Sequence, residues 1–284
     1  RSQTGNFFFR PILMQFAAHH IGKSYREFYT DFQVLVAANI ACMEDFGMDA
    51  VGLISDPMRE AEAFGAICQY PEENVPHCQS PLIKTIEDVH ALTIPDVERN
   101  KRTQDRIQGA YSFREKLSKD FPIIGWIEGP LAEACDLVGV SEMLIKLATD
   151  PDFCKYLLSK LVITAKAFAL AQIKAGCNIV GVGDAICSQI SPQMYAEFVK
   201  EHHREIINFI HDHGASVKLH ICGNITRLLP HIADINPDIV DLDWMVDTQE
   251  AYEVFGEDII RSGNIDPVSV IEQMSAEDVF AQTR

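Results

Sequence analysis

Residues 215–224, ASVKLHICGN, contain the pattern on which the chain is built: an apolar strand, a polar strand end and the start of a helix. Strand side chains alternate between two faces, so His220 and Cys222 are predicted to point the same way. Gly223 allows a tight turn, and Asn224 is a suitable N-cap for the helix that follows. An imidazole beside a thiol supplies two of the three or four ligands of a zinc site, whereas the structural alternative is a buried histidine next to an inert cysteine.

The same alternation of strand and helix recurs along the chain. Seven apolar runs precede helix patterns, at residues 11–16, 49–54, 121–127, 178–183, 217–221, 237–242 and 258–263. This alternation is typical of parallel strands joined by right-handed crossovers. No Gly-x-Gly-x-x-Gly motif of a dinucleotide-binding open sheet follows the first run. We therefore predict an α/β fold, a parallel (β/α)8 barrel of the TIM type that lacks its eighth strand.

The barrel is predicted to occupy residues 1–284 as a single domain that is incomplete at its C-terminus. Residues 67–100 contain four prolines and are predicted to be an excursion from the barrel, not a second domain. A missing eighth strand would leave unpaired strand edges beside the gap. Because such edges favour self-association, a homodimer is among the expected states.

Polar side chains follow several of the predicted strands, at the end where barrels of this type place their chemistry. Asp56, Glu128 and Asp184 follow the second, third and fourth runs, and we predict them as catalytic residues. Glu128 is expected to face the site, because an unpaired carboxylate is costly to bury elsewhere. For Asp184 a purely structural role, the capping of a neighbouring helix, remains open.

The composition excludes several classes of partner. Lys and Arg number 24 and Asp and Glu 41, which gives a net charge of −17 and argues against nucleic acid or an anionic membrane as the main partner. No apolar run approaches the length of a membrane span. Eight scattered cysteines without a Cys-x-x-Cys motif are typical of reduced thiols in a cytoplasmic protein.

Over nearly its whole length the chain resembles the uroporphyrinogen decarboxylase superfamily, whose fold is a (β/α)8 barrel. The resemblance depends on the order and spacing of several short stretches. They are residues 54–56, 81–83, 176–184, 190–195, 240–244 and 263–267.

The decarboxylase branch of this superfamily is matched only in part. True decarboxylases carry Arg-Gln-Ala-Gly-Arg after the first strand to bind substrate carboxylates, but residues 15–20 here read QFAAHH. The resemblance implies that Asp136 stands where decarboxylases have a tyrosine after the third strand. Asp56, which faces the pyrrole nitrogens in decarboxylases, is retained. Uroporphyrinogen decarboxylation therefore stays as the alternative function, one that needs no metal.

The other branch comprises zinc-dependent, corrinoid-linked methyltransferases, including those that methylate coenzyme M. Their signature is His-x-Cys at the end of the fifth strand, which His220 and Cys222 match, plus a distant cysteine that would lie beyond Arg284. The resemblance implies Zn²⁺ on His220 and Cys222. It also implies methyl transfer between a corrinoid (methylcobalamin) on a partner protein and a thiol, methylamine or methoxy compound, in either direction.

A third hypothesis is that the chain is itself the corrinoid-binding partner and has no catalysis of its own. The sequence argues against it, because no Asp-x-His-x-x-Gly cobalamin motif is present.

Overall fold

The computed structural model describes residues 8–283, and within them six parallel strands form one curled sheet. Each strand pairs with the next one of the sheet along the chain, as in a barrel. The strands are β1 (Val51–Gly52), β4 (Ile123–Glu128), β5 (Ile179–Gly183), β6 (Ser216–His220), β7 (Ile239–Asp241) and β8 (Ile260–Ser262). An antiparallel hairpin, β2 (Cys68–Gln69) and β3 (His77–Cys78), lies outside this sheet.

Helices connect the strands and cover the outer face of the sheet. They are α1 (Met14–His20), α2 (Tyr25–Thr30), α3 (Phe32–Phe46), α4 (Met58–Ala63), α5 (Ile86–Ala91), α6 (Lys101–Lys116), α7 (Pro130–Val138), α8 (Val140–Thr149), α9 (Pro151–Lys174), α10 (Pro192–Met194), α11 (Lys200–Asp212), α12 (Leu229–Ile235), α13 (Thr248–Phe255) and α14 (Ala276–Gln282). Turns of 3-10 helix lie at Ala185–Gln189 and Thr226–Leu228, and turns of π-helix at Tyr195–Val199 and Pro267–Glu272.

The predicted barrel-type α/β fold is confirmed, and the sheet is open between β8 and β1 in the described part of the chain. The prediction of a first strand at residues 11–16 is wrong. Residues 8–13 form no ladder, and α1 begins at Met14. Pro11 has no amide proton to donate to a ladder, and the buried Ala17 and Ala18 fit the spacing of a helix face. Within residues 8–283 the sheet therefore has six strands, not seven.

The core lies between the sheet and its helices. All residues of β4 except the last are buried, as expected for a parallel sheet covered on both sides. α9 is long and apolar enough to meet the usual criteria for a membrane span, contrary to our expectation that no run approaches that length. However, 56% of its most apolar window is buried inside the protein, because α9 packs against α7, α11 and β4.

Candidate functional site

His220 and Cys222 lie together at the carboxyl end of the sheet. His220 is the last residue of β6, and its Nε2 lies 2.8 Å from Sγ of Cys222. Both residues line a cavity of about 500 Å³ at the mouth of the barrel, between β6, β7, β8 and residues 8–12. The cysteine is exposed, so its sulfur is open to the cavity. The pair therefore has the access that a catalytic centre needs.

A carboxylate on the neighbouring strand fixes the orientation of the imidazole. Nδ1 of His220 lies 2.9 Å from Oδ2 of Asp241, and the buried Lys218 holds the other oxygen of that carboxylate at 2.9 Å. Burial lowers the pKa of His220, but the hydrogen bonds to Asp241 and Cys222 outweigh it and raise this pKa to about 10. The pKa of Asp241 is lowered, since the bonds from His220 and Lys218 outweigh burial. With Nδ1 engaged, Nε2 is the nitrogen that remains for a ligand.

Trp126 on β4 forms the side of the site that faces the barrel interior. Its ring centroid lies 5.7 Å from that of His220. The indole lies directly against Gly181 and Gly183 of β5, where an added Cβ would approach ring atoms to 2.3 and 3.0 Å. Glycine at these two positions makes room for a large aromatic side chain beside the imidazole.

The donor set at this centre fits zinc. Imidazole nitrogen and thiolate sulfur are its preferred ligands, and a metal-bound histidine commonly gives its other ring nitrogen to a carboxylate, as His220 does to Asp241. Zn–N and Zn–S bonds of about 2.0 and 2.3 Å place two ligand atoms of a tetrahedral ion roughly 3.5 Å apart. For zinc to bind, the distance of 2.8 Å between Nε2 of His220 and Sγ of Cys222 would have to increase by several tenths of an ångström.

The structure places Asp184 in a separate, fully buried cluster with Cys187 and His203. Ligand atoms of these three residues lie within 4.8 Å of one another, so the cluster is a second possible metal site. Asp184 already accepts hydrogen bonds from His203 Nε2 at 2.9 Å and from the backbone N–H of Leu131 and Ala132 in α7 at 3.2 and 2.7 Å. Burial, reinforced by Asp184, raises the pKa of Cys187 well above that of an ordinary thiol. The structural alternative for Asp184, capping of a neighbouring helix, matches these contacts.

Glu128 ends β4 in the same register layer as His220, with Gly183 of β5 between them. Its Oε1 accepts a hydrogen bond from Nη2 of the fully buried Arg59 at 2.8 Å, and its backbone N–H donates to Oε1 of Glu60 at 2.9 Å. Burial raises the pKa of Glu128 well above its usual range, although Arg59 opposes the shift. Glu128 is therefore a largely buried acid, with its side chain 10% exposed, beside the strand ends and outside the lining of the mouth cavity.

Asp56, the residue that the decarboxylase alternative requires, is 4% exposed and bonded on both oxygens. Oδ2 accepts from Arg102 Nη2 at 2.6 Å and from Ser55 Oγ at 2.7 Å, and Oδ1 accepts from the backbone N–H of Met58 at 3.0 Å. It is not among the residues that line the mouth cavity. The structure therefore brings His220 and Cys222 together at the mouth cavity, whereas Asp56, Glu128 and Asp184 are not among the residues that line it.

Asp241, Lys218 and Trp126 were not predicted as site residues. A signal for Lys218 exists in the sequence: it is a charged residue inside an apolar strand, two positions from His220 and so on the same face. Asp241 lies inside the predicted strand 237–242, and its place beside His220 follows only from the register between β6 and β7. For Trp126 the sequence gives no signal that separates a site wall from a core residue.

Comparison with known proteins gives one sequence family and a shared fold among solved structures. Residues 10–284 match the sequence model of the family described as "Uroporphyrinogen decarboxylase (URO-D)". The chain is 26% identical over 260 residues to a protein of Legionella pneumophila (strain Lens) named "Uroporphyrinogen decarboxylase", a match that covers 87% of this chain and 73% of the relative. A protein of the same name from Aeromonas salmonicida (strain A449) is 28% identical over 261 residues, which cover 86% of this chain and 73% of the relative.

Among solved structures, the fold is similar to that of a "methyltransferase from Methanosarcina mazei". The TM-score is 0.82 with 22% sequence identity, and the match covers 89% of this chain and 75% of that one. A B12-independent methionine synthase from Shewanella sp. W3-18-1 shares the fold more distantly, with a TM-score of 0.54, 13% identity, and coverage of 80% of this chain and 68% of that one. At these identities the likeness is one of fold.

Proposed function

The chain belongs to the uroporphyrinogen decarboxylase family, and within that family we propose that it is a zinc-dependent methyltransferase. It would move a methyl group between a corrinoid carried by a partner protein and a small molecule such as a thiol, a methylamine or a methoxy compound. The observation that carries this proposal is the pair His220 and Cys222 at the open barrel mouth, with Asp241 behind the imidazole.

In this proposal each residue has a distinct task. His220 and Cys222 hold the metal, and Asp241 keeps Nδ1 occupied so that Nε2 faces the site. Lys218 neutralises Asp241 and holds it in place. When bound, zinc would act as a Lewis acid that keeps a thiol acceptor deprotonated or assists a leaving group. A catalytic zinc site of this type would need a third protein ligand besides His220 and Cys222.

The shape of the site supports a small-molecule substrate. The mouth cavity of about 500 Å³ is within the range of ordinary ligand pockets. Its described lining is mainly apolar, with Trp244, Ile265 and Ile271 beside the exposed Cys222. A wide mouth of this kind also suits approach by a second protein that presents a cofactor, as the corrinoid partner would.

The proposal also includes catalytic roles for Asp56, Glu128 and Asp184, and these roles differ. Glu128 is the best placed for proton transfer, since it ends β4 in the layer of His220 and burial raises its pKa. Asp184 and Asp56 would act by positioning, because each of their carboxylates already accepts three hydrogen bonds. We also propose that residues 1–284 form one domain of a cytoplasmic protein, with self-association through the open sheet edges.

Uroporphyrinogen decarboxylation is the second candidate, since the relatives in the comparison carry that name and Asp56 is retained. Two observations weigh against it. Asp56 is tied to Arg102 and does not line the mouth cavity. The described lining of that cavity offers three basic groups, on Arg10, Lys218 and His220, of which two are engaged by Asp241. A porphyrinogen with many carboxylates would find few cations there.

A methyl-transfer assay tests the proposed function. The purified protein, loaded with zinc, would be incubated with methylcobalamin and a panel of thiols, and loss of the methylcobalamin absorption would be followed. We expect zinc-dependent demethylation with at least one thiol, abolished in Cys222→Ala and retained in Cys187→Ala. Activity that is equal in both variants, or independent of zinc, would contradict the assignment of the centre to His220 and Cys222.

A further inference from the structure

Two cysteines face each other on the hairpin outside the barrel sheet. Cys68 of β2 and Cys78 of β3 are direct cross-strand partners in the antiparallel register. The backbone N–H of Gln79 donates to the carbonyl of Ile67 at 2.8 Å, which makes the cysteines a pair without hydrogen bonds between their own backbones. Such pairs have Cα atoms about 4.5 Å apart, at the lower end of the range of about 4.4–6.8 Å that a disulfide spans.

The thiols of this pair interact and are accessible. Both cysteines are free and only partly buried, whereas the remaining cysteines apart from Cys222 are fully buried. The neighbouring thiol of Cys78 lowers the pKa of Cys68, whereas Cys68 and burial raise the pKa of Cys78. Cys68 is therefore the thiol of the pair that is more readily deprotonated, and Cys78 is the neighbour that stays protonated, which is the arrangement of a reactive dithiol.

The hairpin also contacts the surroundings of Asp56 from both of its strands. On the β2 side, the ring of Tyr70 lies 5.3 Å from the guanidinium of Arg102, which pairs with Asp56. On the β3 side, Sγ of Cys78 lies 3.5 Å from Sδ of Met58, whose backbone N–H donates to Asp56. A covalent link between the two strands would therefore hold both contacts at once.

We propose that Cys68 and Cys78 are a redox modification site, which forms a reversible intramolecular disulfide by exchange with a low-molecular-weight disulfide. The thiolate of Cys68 attacks one sulfur of the small disulfide, breaks its S–S bond and releases one thiolate. Cys78 then loses its proton to solvent and attacks the sulfur of Cys68, which releases the second thiol. Two protein thiols are oxidised, and the small disulfide is reduced to two thiols.

Oxidised glutathione is the probe for the test. The reduced protein would be treated with it, the free thiols alkylated, and the peptides analysed by mass spectrometry without reduction. We expect a peptide pair linked through Cys68 and Cys78 that is lost after dithiothreitol, formed at least ten times faster than any modification of buried cysteines. The variant Cys177→Ala, which changes a distant buried cysteine, should form the same link.

Single cysteine variants test whether the link forms by the proposed exchange through Cys68, rather than only because the two cysteines are close together. In Cys78→Ser the attack by Cys68 cannot be resolved, so a stable mixed disulfide with glutathione should accumulate on Cys68. Two results in the wild-type protein would overturn the proposal. In one, glutathione stays on Cys68 or Cys78 and the internal disulfide does not form. In the other, Cys68 and Cys78 both stay reduced while Cys222 reacts. Circular dichroism on each variant verifies that its fold is retained.

Discussion

Asp241 and His220 end adjacent parallel strands as direct register partners, and the carboxylate of one lies 2.9 Å from Nδ1 of the other. This hydrogen bond fixes the orientation of the imidazole, so that Nε2 of His220 lies beside Sγ of Cys222. The strand register aligns the two side chains, and Lys218 on the same strand as His220 balances the charge of Asp241. The site therefore depends on a contact between strands that the local motif does not contain.

Replacing Asp241 should weaken metal binding without removing a ligand. In Asp241→Asn the amide preserves the shape but not the charge, so we expect zinc affinity to fall by about 10–100-fold, as is common for such supporting residues. Competition with a chromophoric chelator measures the change. Asp247→Asn is the control, because Asp247 is an exposed N-cap of α13 and asparagine caps a helix about as well. Equal affinities of the two variants would show that Asp241 does not support the ligand.

The buried Asp184 should matter for stability more than for zinc. In Asp184→Ala two backbone N–H groups of α7 and His203 lose their acceptor, so we expect the free energy of unfolding to fall by about 3 kcal/mol or more. Urea titration measures this loss. If zinc is held at Cys222, the variant that remains folded should keep its metal, and loss of zinc without loss of stability would favour the buried cluster as the metal site.

Asp136 provides a test by pH. Burial raises the pKa of Asp136 to about 8, with Glu60 adding to the shift and Arg59 opposing it. In the unfolded chain an aspartate loses its proton near pH 4. Between about pH 4 and 8 the folded state therefore binds the proton that the unfolded state has lost, and stability falls as the pH rises, by at most about 1.4 kcal/mol per pH unit.

The variant Asp136→Asn should remove this part of the pH dependence. We expect its urea midpoint to exceed that of the wild type at pH 8 and the difference to shrink toward pH 5. The exposed Asp120→Asn serves as the matched control and should follow the wild-type curve. The assignment would be contradicted if the urea midpoint of the wild type, relative to that of Asp136→Asn, rose between pH 5 and 8.

The fold was largely predictable from the sequence, because strand and helix periodicities repeat and the central strands β4, β5 and β6 are mostly buried. Residues 11–16 are a short apolar run without clear alternation, which fits both a strand and the first turn of a helix, and Pro11 disfavours a ladder. The apolar pattern of residues 25–46 fits one continuous helix, but Asp31 ends α2 and caps α3. A single N-capping side chain decided that break.

The candidate site was only partly predictable. His220 ends β6 and Cys222 follows two residues later, so the alternation predicted for this stretch is enough to bring them together. Asp241 depends on the register between two strands that are separated by α12. Asp184 is at a strand end, as expected, but its carboxylate turns to α7 and His203, because buried amides and a buried imidazole need an acceptor.

The decarboxylase alternative makes a prediction of its own. We expect the protein to form no coproporphyrinogen from uroporphyrinogen at a useful rate, because residues 15–20 contain no arginine and Asp56 is occupied by Arg102. Chromatography of the oxidised porphyrins after anaerobic incubation measures the product. Substantial formation that is lost in Asp56→Asn would refute the methyltransferase assignment.

Metal analysis of purified protein tests the central claim most directly. Elemental analysis after dialysis against metal-free buffer should find about one zinc per chain in the wild type, less than about a tenth of that in Cys222→Ala, and an unchanged content in Cys187→Ala. Circular dichroism should show that both variants are folded. Retention of zinc by Cys222→Ala, with loss in Cys187→Ala, would contradict the account and move the metal to the buried cluster around Asp184.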